Sequence, residues 1–143
     1  MRVRNNSILT QISIYVDEVK YSFDPGEIIS FPNKYYNEIE VEVDLFDELE
    51  ILLDAESVVG AVGITIAILI PSWSLSGDWY YYTLDHNFGT SNYQMDTFEF
   101  TGPKFSKIYV YDEPLDTNNI RIYVPKKPDG RFNGKATVIK VGA

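Results

Sequence analysis

The uncharged stretch Val58-Val59-Gly60-Ala61-Val62-Gly63-Ile64-Thr65-Ile66-Ala67-Ile68-Leu69-Ile70 constrains this chain most. Pro71 ends it. It is well short of the roughly 20 residues a helix needs to cross a bilayer. In its second half Ile64, Ile66, Ile68 and Ile70 fall on one face of a strand, and Thr65, Ala67 and Leu69 on the other. β-Branched residues at period two, with no polar face, fit a central strand buried on both sides. After Trp73-Ser74-Leu75-Ser76-Gly77-Asp78 comes a second alternating run, Trp79-Tyr80-Tyr81-Tyr82-Thr83-Leu84. The pattern predicts two core strands joined by a Ser/Gly turn, with the other strands packed around them.

The flanking sequence reads as β as well. Ile8, Ile12, Ile14 and Val16 share one face of a first strand, and Asp17-Glu18 is a tight turn into Val19, Tyr21 and Phe23. Asp24-Pro25-Gly26-Glu27 is a turn in which Pro presets φ and Gly supplies a positive φ. Ile28 to Phe31 follows as a short strand. From Glu38 to Leu45 acids alternate with Ile39, Val41, Val43 and Leu45, which predicts a strand with a row of carboxylates on its outer face. Residues 46–56 fit either a strand or three turns of helix. The surrounding pattern favours the strand, and a helix anywhere in the chain is expected here. Strands are expected over 97–101, 105–111, 120–124 and 135–141, with a polar loop at 85–96 and a basic loop at 125–130. Ten or eleven closely spaced strands predict an all-β fold: one domain over 1–143, an antiparallel two-sheet sandwich of jelly-roll type.

Charge is unevenly placed. The net charge is −9, yet residues 35–103 hold thirteen acids and no Lys or Arg, while residues 104–143 hold eight bases and four acids. The acidic block repels phosphate, so nucleic acid is not expected as a partner. The polarity suggests that the basic end of one copy meets the acidic flank of another. The interface candidates are Lys126, Lys127, Arg131 and Lys135 against Glu38, Glu40 and Glu42. The commoner meaning of such charge is a solvated surface.

Chemistry is sparse. With no cysteine and one histidine, a zinc site of imidazoles and thiolates is impossible. His86 lies in the polar loop beside Asp85, without a nucleophile motif, so no catalytic residue, metal or cofactor is expected. The aromatic residues Trp73, Trp79, Tyr81 and Tyr93 are the binding candidates, able to stack on sugar rings, although core packing is the commoner fate of such residues. The N-terminal Met1-Arg2-Val3-Arg4 is followed by no signal-peptide core, so the chain is expected to be made in the cytoplasm without export, and no membrane is expected as a partner.

Two passages resemble small virion proteins of tailed bacteriophages: Ile12 to Val16 running on to Phe23-Asp24-Pro25-Gly26-Glu27-Ile28, and Phe105 to Tyr111 with its return strand Asn119 to Val124. Those proteins are β-sandwiches that decorate heads or build necks, tails and fibres. The resemblance implies a non-enzymatic virion component, acting in a symmetric homo-oligomer with other virion proteins. Gly77-Asp78-Trp79 through Tyr82-Thr83-Leu84 is similar to a strand of jelly-roll carbohydrate-binding modules. That implies the alternative, a glycan- or receptor-binding module. Neither likeness assigns a role to a particular residue.

Overall fold

The computed structural model describes residues 1–52 and 63–142. The protein is all-β apart from one α-helix and two short 3-10 turns among these residues. Contacts divide the chain into two compact units, Met1–Ser57 and Val58–Ala143. Residues 53–62, which include the start of the long apolar run and the end of the ambiguous 46–56 segment, lie outside the described residues.

In the first unit, strand β1 (Arg2–Asn5) pairs antiparallel with β4 (Ile28–Ser30) on one side and with β5 (Leu49–Leu52) on the other. Strands β2 (Ile12–Val16) and β3 (Val19–Phe23) form a hairpin. Its turn is the expected Asp17-Glu18, and both residues take positive φ, 50° and 66°. That is the pattern of a type I′ turn, whose twist matches the strands it joins. Asp24 to Glu27 also turns as expected: the Glu27 N–H donates to the Asp24 carbonyl at 2.9 Å, and Gly26 sits at φ 79°. Tyr21 and Phe31 meet edge-to-face at 5.2 Å in the core of this unit.

Two expectations fail here. β1 is absent from the sequence reading, and the segment 38–45 is not a strand. Residues Tyr36–Val43 form helix α1, packed against β2 and β5. Ile39 and Val43, one turn apart, are buried, whereas Val41 is 66% and Leu45 71% exposed. Alternation and helical periodicity share the i, i+4 pair, and here burial of that pair overrides β propensity. An acid in the first turn, Glu38, suits the positive end of the helix. The carboxylates therefore form no single row: Glu38 and Glu42 lie on one side of α1 and Glu40 on another. Within 46–56 the favoured strand is found as β5 in the described part, and the helix placed there as the alternative lies instead at α1. Ile8 also departs from the strand reading, because it is 88% exposed in the loop before β2.

The second unit is a two-sheet sandwich. Strands β6 (Gly63–Ile68), β9 (Tyr93–Phe100), β10 (Phe105–Ile108) and β13 (Gly134–Lys140) hydrogen-bond in the order β10-β9-β13-β6. Strands β7 (Ser74–Ser76), β8 (Trp79–Asp85), β11 (Tyr111–Pro114) and β12 (Asn119–Pro125) form the facing sheet, in the order β11-β12-β8-β7. Between them pack Ile64, Ile66, Ile68, Ala136 and Val138 from one sheet and Tyr82, Leu84, Ile120, Ile122 and Val124 from the other, with Trp73 and Phe132. Burying a Leu, Ile or Phe side chain stabilises by about 1.5–3 kcal/mol, so this cluster dominates the unit.

β6 is buried on both faces, as its unbroken apolar run predicts. It is not joined to β8 by a single turn, however. The two lie in opposite sheets, and Gly77 at φ 60° instead turns β7 into β8. The expected strand 105–111 divides at Tyr109-Val110, where the chain passes from the first sheet to the second. Three hairpins, β7–β8, β9–β10 and β11–β12, stay within one sheet. That winding differs from the two interlocked Greek keys of a jelly roll. At Gly134 the β9 backbone comes so close that an added Cβ would collide with the Phe98 carbonyl.

Candidate functional site

Alternation along β8 and β12 sends two sets of side chains in opposite directions. Tyr82, Leu84, Ile120, Ile122 and Val124 enter the core. Trp79, Tyr81, Thr83, Arg121 and Tyr123 cover the outer face of the same sheet. Pairing register then sets them in rows. Tyr111, Tyr123, Tyr81 and Ser74 line up across all four strands. On one side of that row lie Pro125, Trp79 and Ser76, and on the other Glu113, Arg121 and Thr83.

The rings are held by one another and by charge. Trp79 meets Tyr111 edge-to-face, with centroids 5.4 Å apart and planes at 90°. Tyr81 and Tyr123 lie 6.4 Å apart. The Arg121 guanidinium carbon sits 4.3 Å from the Tyr81 ring centroid, a cation–π contact. Its Nε is buried without a hydrogen-bond partner. The Tyr123 hydroxyl donates to the Glu113 carboxylate. Trp79 remains 40% and Tyr111 70% exposed on this face, whereas Leu75 on β7, 53% exposed, pairs with Tyr80 and points with it to the other side of the sheet. Rings exposed together on ordered strands make this face a candidate contact surface. This face offers ring surfaces, hydroxyls, the Arg121 cation and the carboxylates of Glu113 and Asp85, a set suited to recognition.

The four aromatic candidates therefore separate. Trp79 and Tyr81 share the outer face. Trp73 is a core residue: it is 8% exposed, donates from Nε1 to the Phe132 carbonyl at 3.2 Å, and packs edge-to-face on Tyr82 and Phe132. Tyr93 begins β9 and donates its hydroxyl to Asp112 Oδ2 at 3.0 Å. Burial and that carboxylate push the Tyr93 phenol up to about 12. Tyr111, Tyr123, Arg121 and Glu113 escape the sequence reading, because membership of the face depends on cross-strand register.

The charged candidates separate too. Glu38 accepts the Asp17 N–H at 2.7 Å, tying α1 to the β2–β3 turn. Glu40 approaches Tyr36 one turn earlier and raises its phenol through a hydrogen bond. Glu42 is half-buried on α1. Arg131 pairs with Asp129 at 2.8 Å and lies over the Tyr80 ring at 4.5 Å. That hydrogen bond holds the Asp129 carboxyl below the usual range. Lys135 lies 4.4 Å from the Phe105 ring centroid. Among the described residues, the Lys126 and Lys127 side chains make no hydrogen bond or ion pair.

Among the described residues, no group of three or more His, Asp or Glu side chains could hold a metal, and no helix is long and apolar enough to cross a membrane. No family model, curated protein or solved structure matches this chain.

Proposed function

We propose that this protein is a non-enzymatic contact protein, a structural component of a tailed-phage particle that works as one copy in a symmetric assembly with other virion proteins. The observation that carries this reading is the outer face of the β11-β12-β8-β7 sheet. There Trp79 and Tyr111 stand exposed on strands whose opposite face is locked into the core. A rigid scaffold presenting preset rings spends little side-chain entropy on docking. Ile8 and Leu9, 88% and 90% exposed, add a second apolar feature in the first unit. They sit in a built loop: Ser7 Oγ accepts the N–H groups of Leu9 and Thr10, and the Asn5 amide donates to the Thr10 and Phe23 carbonyls. The unpaired Lys126 and Lys127 retain the role of meeting carboxylates such as Glu40 and Glu42 on a neighbouring copy, in a head-to-tail contact.

Mass photometry and electron microscopy at low and high salt test this reading, with the chain alone and with its co-expressed neighbours. Rings or particles are expected, and reversing charge at Lys126 and Lys127 is expected to weaken them. Reversing Glu40 and Glu42 as well should partly restore them. A monomer under every condition would refute the assembly role.

The second reading, a glycan- or receptor-binding module, draws on the same face. Its rings are interleaved with the hydroxyls of Ser74, Ser76 and Thr83. Glycan-array retention lost in Trp79→Ala, with the circular dichroism spectrum unchanged, would favour it over the first.

A further inference from the structure

We propose that His86 is a proton-operated latch, closing the loop after β8 onto the loop before β12 when neutral and releasing it when protonated. This device is independent of the proposed function. The two loops are joined through one residue, Asn118. Its carbonyl accepts the His86 and Asn87 N–H groups at 2.9 and 3.2 Å, and its side-chain oxygen accepts the Gly89 N–H at 2.8 Å. His86 itself is only 3% exposed. Its ring lies 4.8 Å from Phe88 and 5.9 Å from Tyr93, two side chains that pack on the sandwich core.

The hydrogen bonding fixes the tautomer. Nδ1 accepts the Phe88 N–H at 3.0 Å, so it carries a lone pair, and the ring proton resides on Nε2. Nε2 is buried with no hydrogen-bond partner. Uptake of one proton from solvent would place N–H on Nδ1, opposite the Phe88 N–H. Two donors then face each other, and a charge stands between two rings. Opening the loop relieves both by giving the imidazolium to water.

The surrounding ionisable groups set the balance. From the end of β8 Asp85 faces His86, and from the loop before β12 Asp116 does; both favour the charged ring. Tyr93 at the start of β9 is a neutral phenol committed to Asp112 of β11. Asp116 is largely occupied, accepting the N–H groups of Asn118 and Asn119 at 2.8 and 2.9 Å. Desolvation outweighs these acids and lowers the His86 pKa from 6.5. The sign follows. A closed loop whose histidine titrates lower than in the open loop keeps its full advantage above about 6.5, then loses it as pH falls below that value.

Because His86 is the only histidine, its ring signals in a nuclear magnetic resonance titration of the intact chain are unambiguous. The midpoint is expected below 6.5. Amide exchange at Phe88 and Gly89, corrected for its intrinsic pH dependence, is expected to report an opening constant that rises up to about tenfold per pH unit in that window. The core amides of Ile66 and Ile122 should stay protected throughout. In His86→Gln, which cannot titrate, the Phe88 and Gly89 amides should lose this dependence. A ring midpoint at or above 6.5, or Phe88 and Gly89 exchange that does not change between about pH 7 and pH 5 in the parent, overturns the latch. Both readouts use the parent chain, so they decide the question even if the variant does not fold.

Discussion

The two tryptophans are close neighbours in sequence and have opposite fates. Trp73 lies under the β11-β12-β8-β7 sheet, with its ring on Tyr82 and Phe132 and its indole N–H on a carbonyl. Trp79 lies on top of that sheet, touching Tyr111 and remaining 40% exposed. One sheet thus carries two aromatic faces of different kinds. The inner face is satisfied by its own chain. The outer face is ordered by its own chain but leaves ring surface uncovered. Aromatic content alone does not separate a core from a contact surface; the fate of the far side of each ring does.

Substitutions can break this comparison at three levels. The largest effect is expected for Trp73→Ala, which empties a core site and removes a buried donor from the Phe132 carbonyl. A loss of about 3–5 kcal/mol is expected in denaturant unfolding. A loss under about 1 kcal/mol would put Trp73 on a surface. Next is Tyr82→Phe, which keeps the ring and removes the hydroxyl that donates to the Ala67 carbonyl at 3.1 Å. A loss of about 1 kcal/mol is expected, because the carbonyl that loses this donor is buried. The smallest effect on stability belongs to Trp79→Ala, within about 0.5 kcal/mol of the parent, since it vacates no core volume. Its effect should appear instead in assembly or ligand retention. A Trp79→Ala loss as large as that of Trp73→Ala would erase the distinction between the two faces.

How much of this was legible in the sequence depended on whether a pattern has one physical solution. The β2–β3 hairpin was legible because Asp17-Glu18 leaves two residues between alternating strands, and a two-residue turn fixes register. β6 was legible because β-branched residues without a polar face suit only a strand covered on both sides. The segment 38–45 was misread because Ile39 and Val43 serve a strand and a helix equally, and only the surfaces waiting for them decide. β1 was missed because Arg2-Val3-Arg4-Asn5 looks like a charged terminus, yet Val3 and Asn5 are fully buried and Arg2 nearly so. The outer face was half legible. Trp79 and Tyr81 come from one strand and were found together. Tyr111, Tyr123, Arg121 and Glu113 join them only through pairings that no local pattern contains. Trp73 was grouped with them by proximity in sequence, but the chain turns at Gly77 between it and Trp79.

The place of β13 has a consequence in time. It lies between β9 and β6 and pairs with both, Thr137 meeting Asp96 on one side and Thr65 on the other. Every other strand of the second unit is synthesised before it. Until Gly134 to Lys140 leaves the ribosome, β6 and β9 have no bridge between them, and two strand edges stand open beside an uncovered apolar layer. Long-range pairing of this kind closes slowly, and open edges recruit other chains while they wait. The nascent protein is therefore most exposed to misassembly in the interval before β13 emerges, and a pause in translation ahead of β13 would prolong that interval.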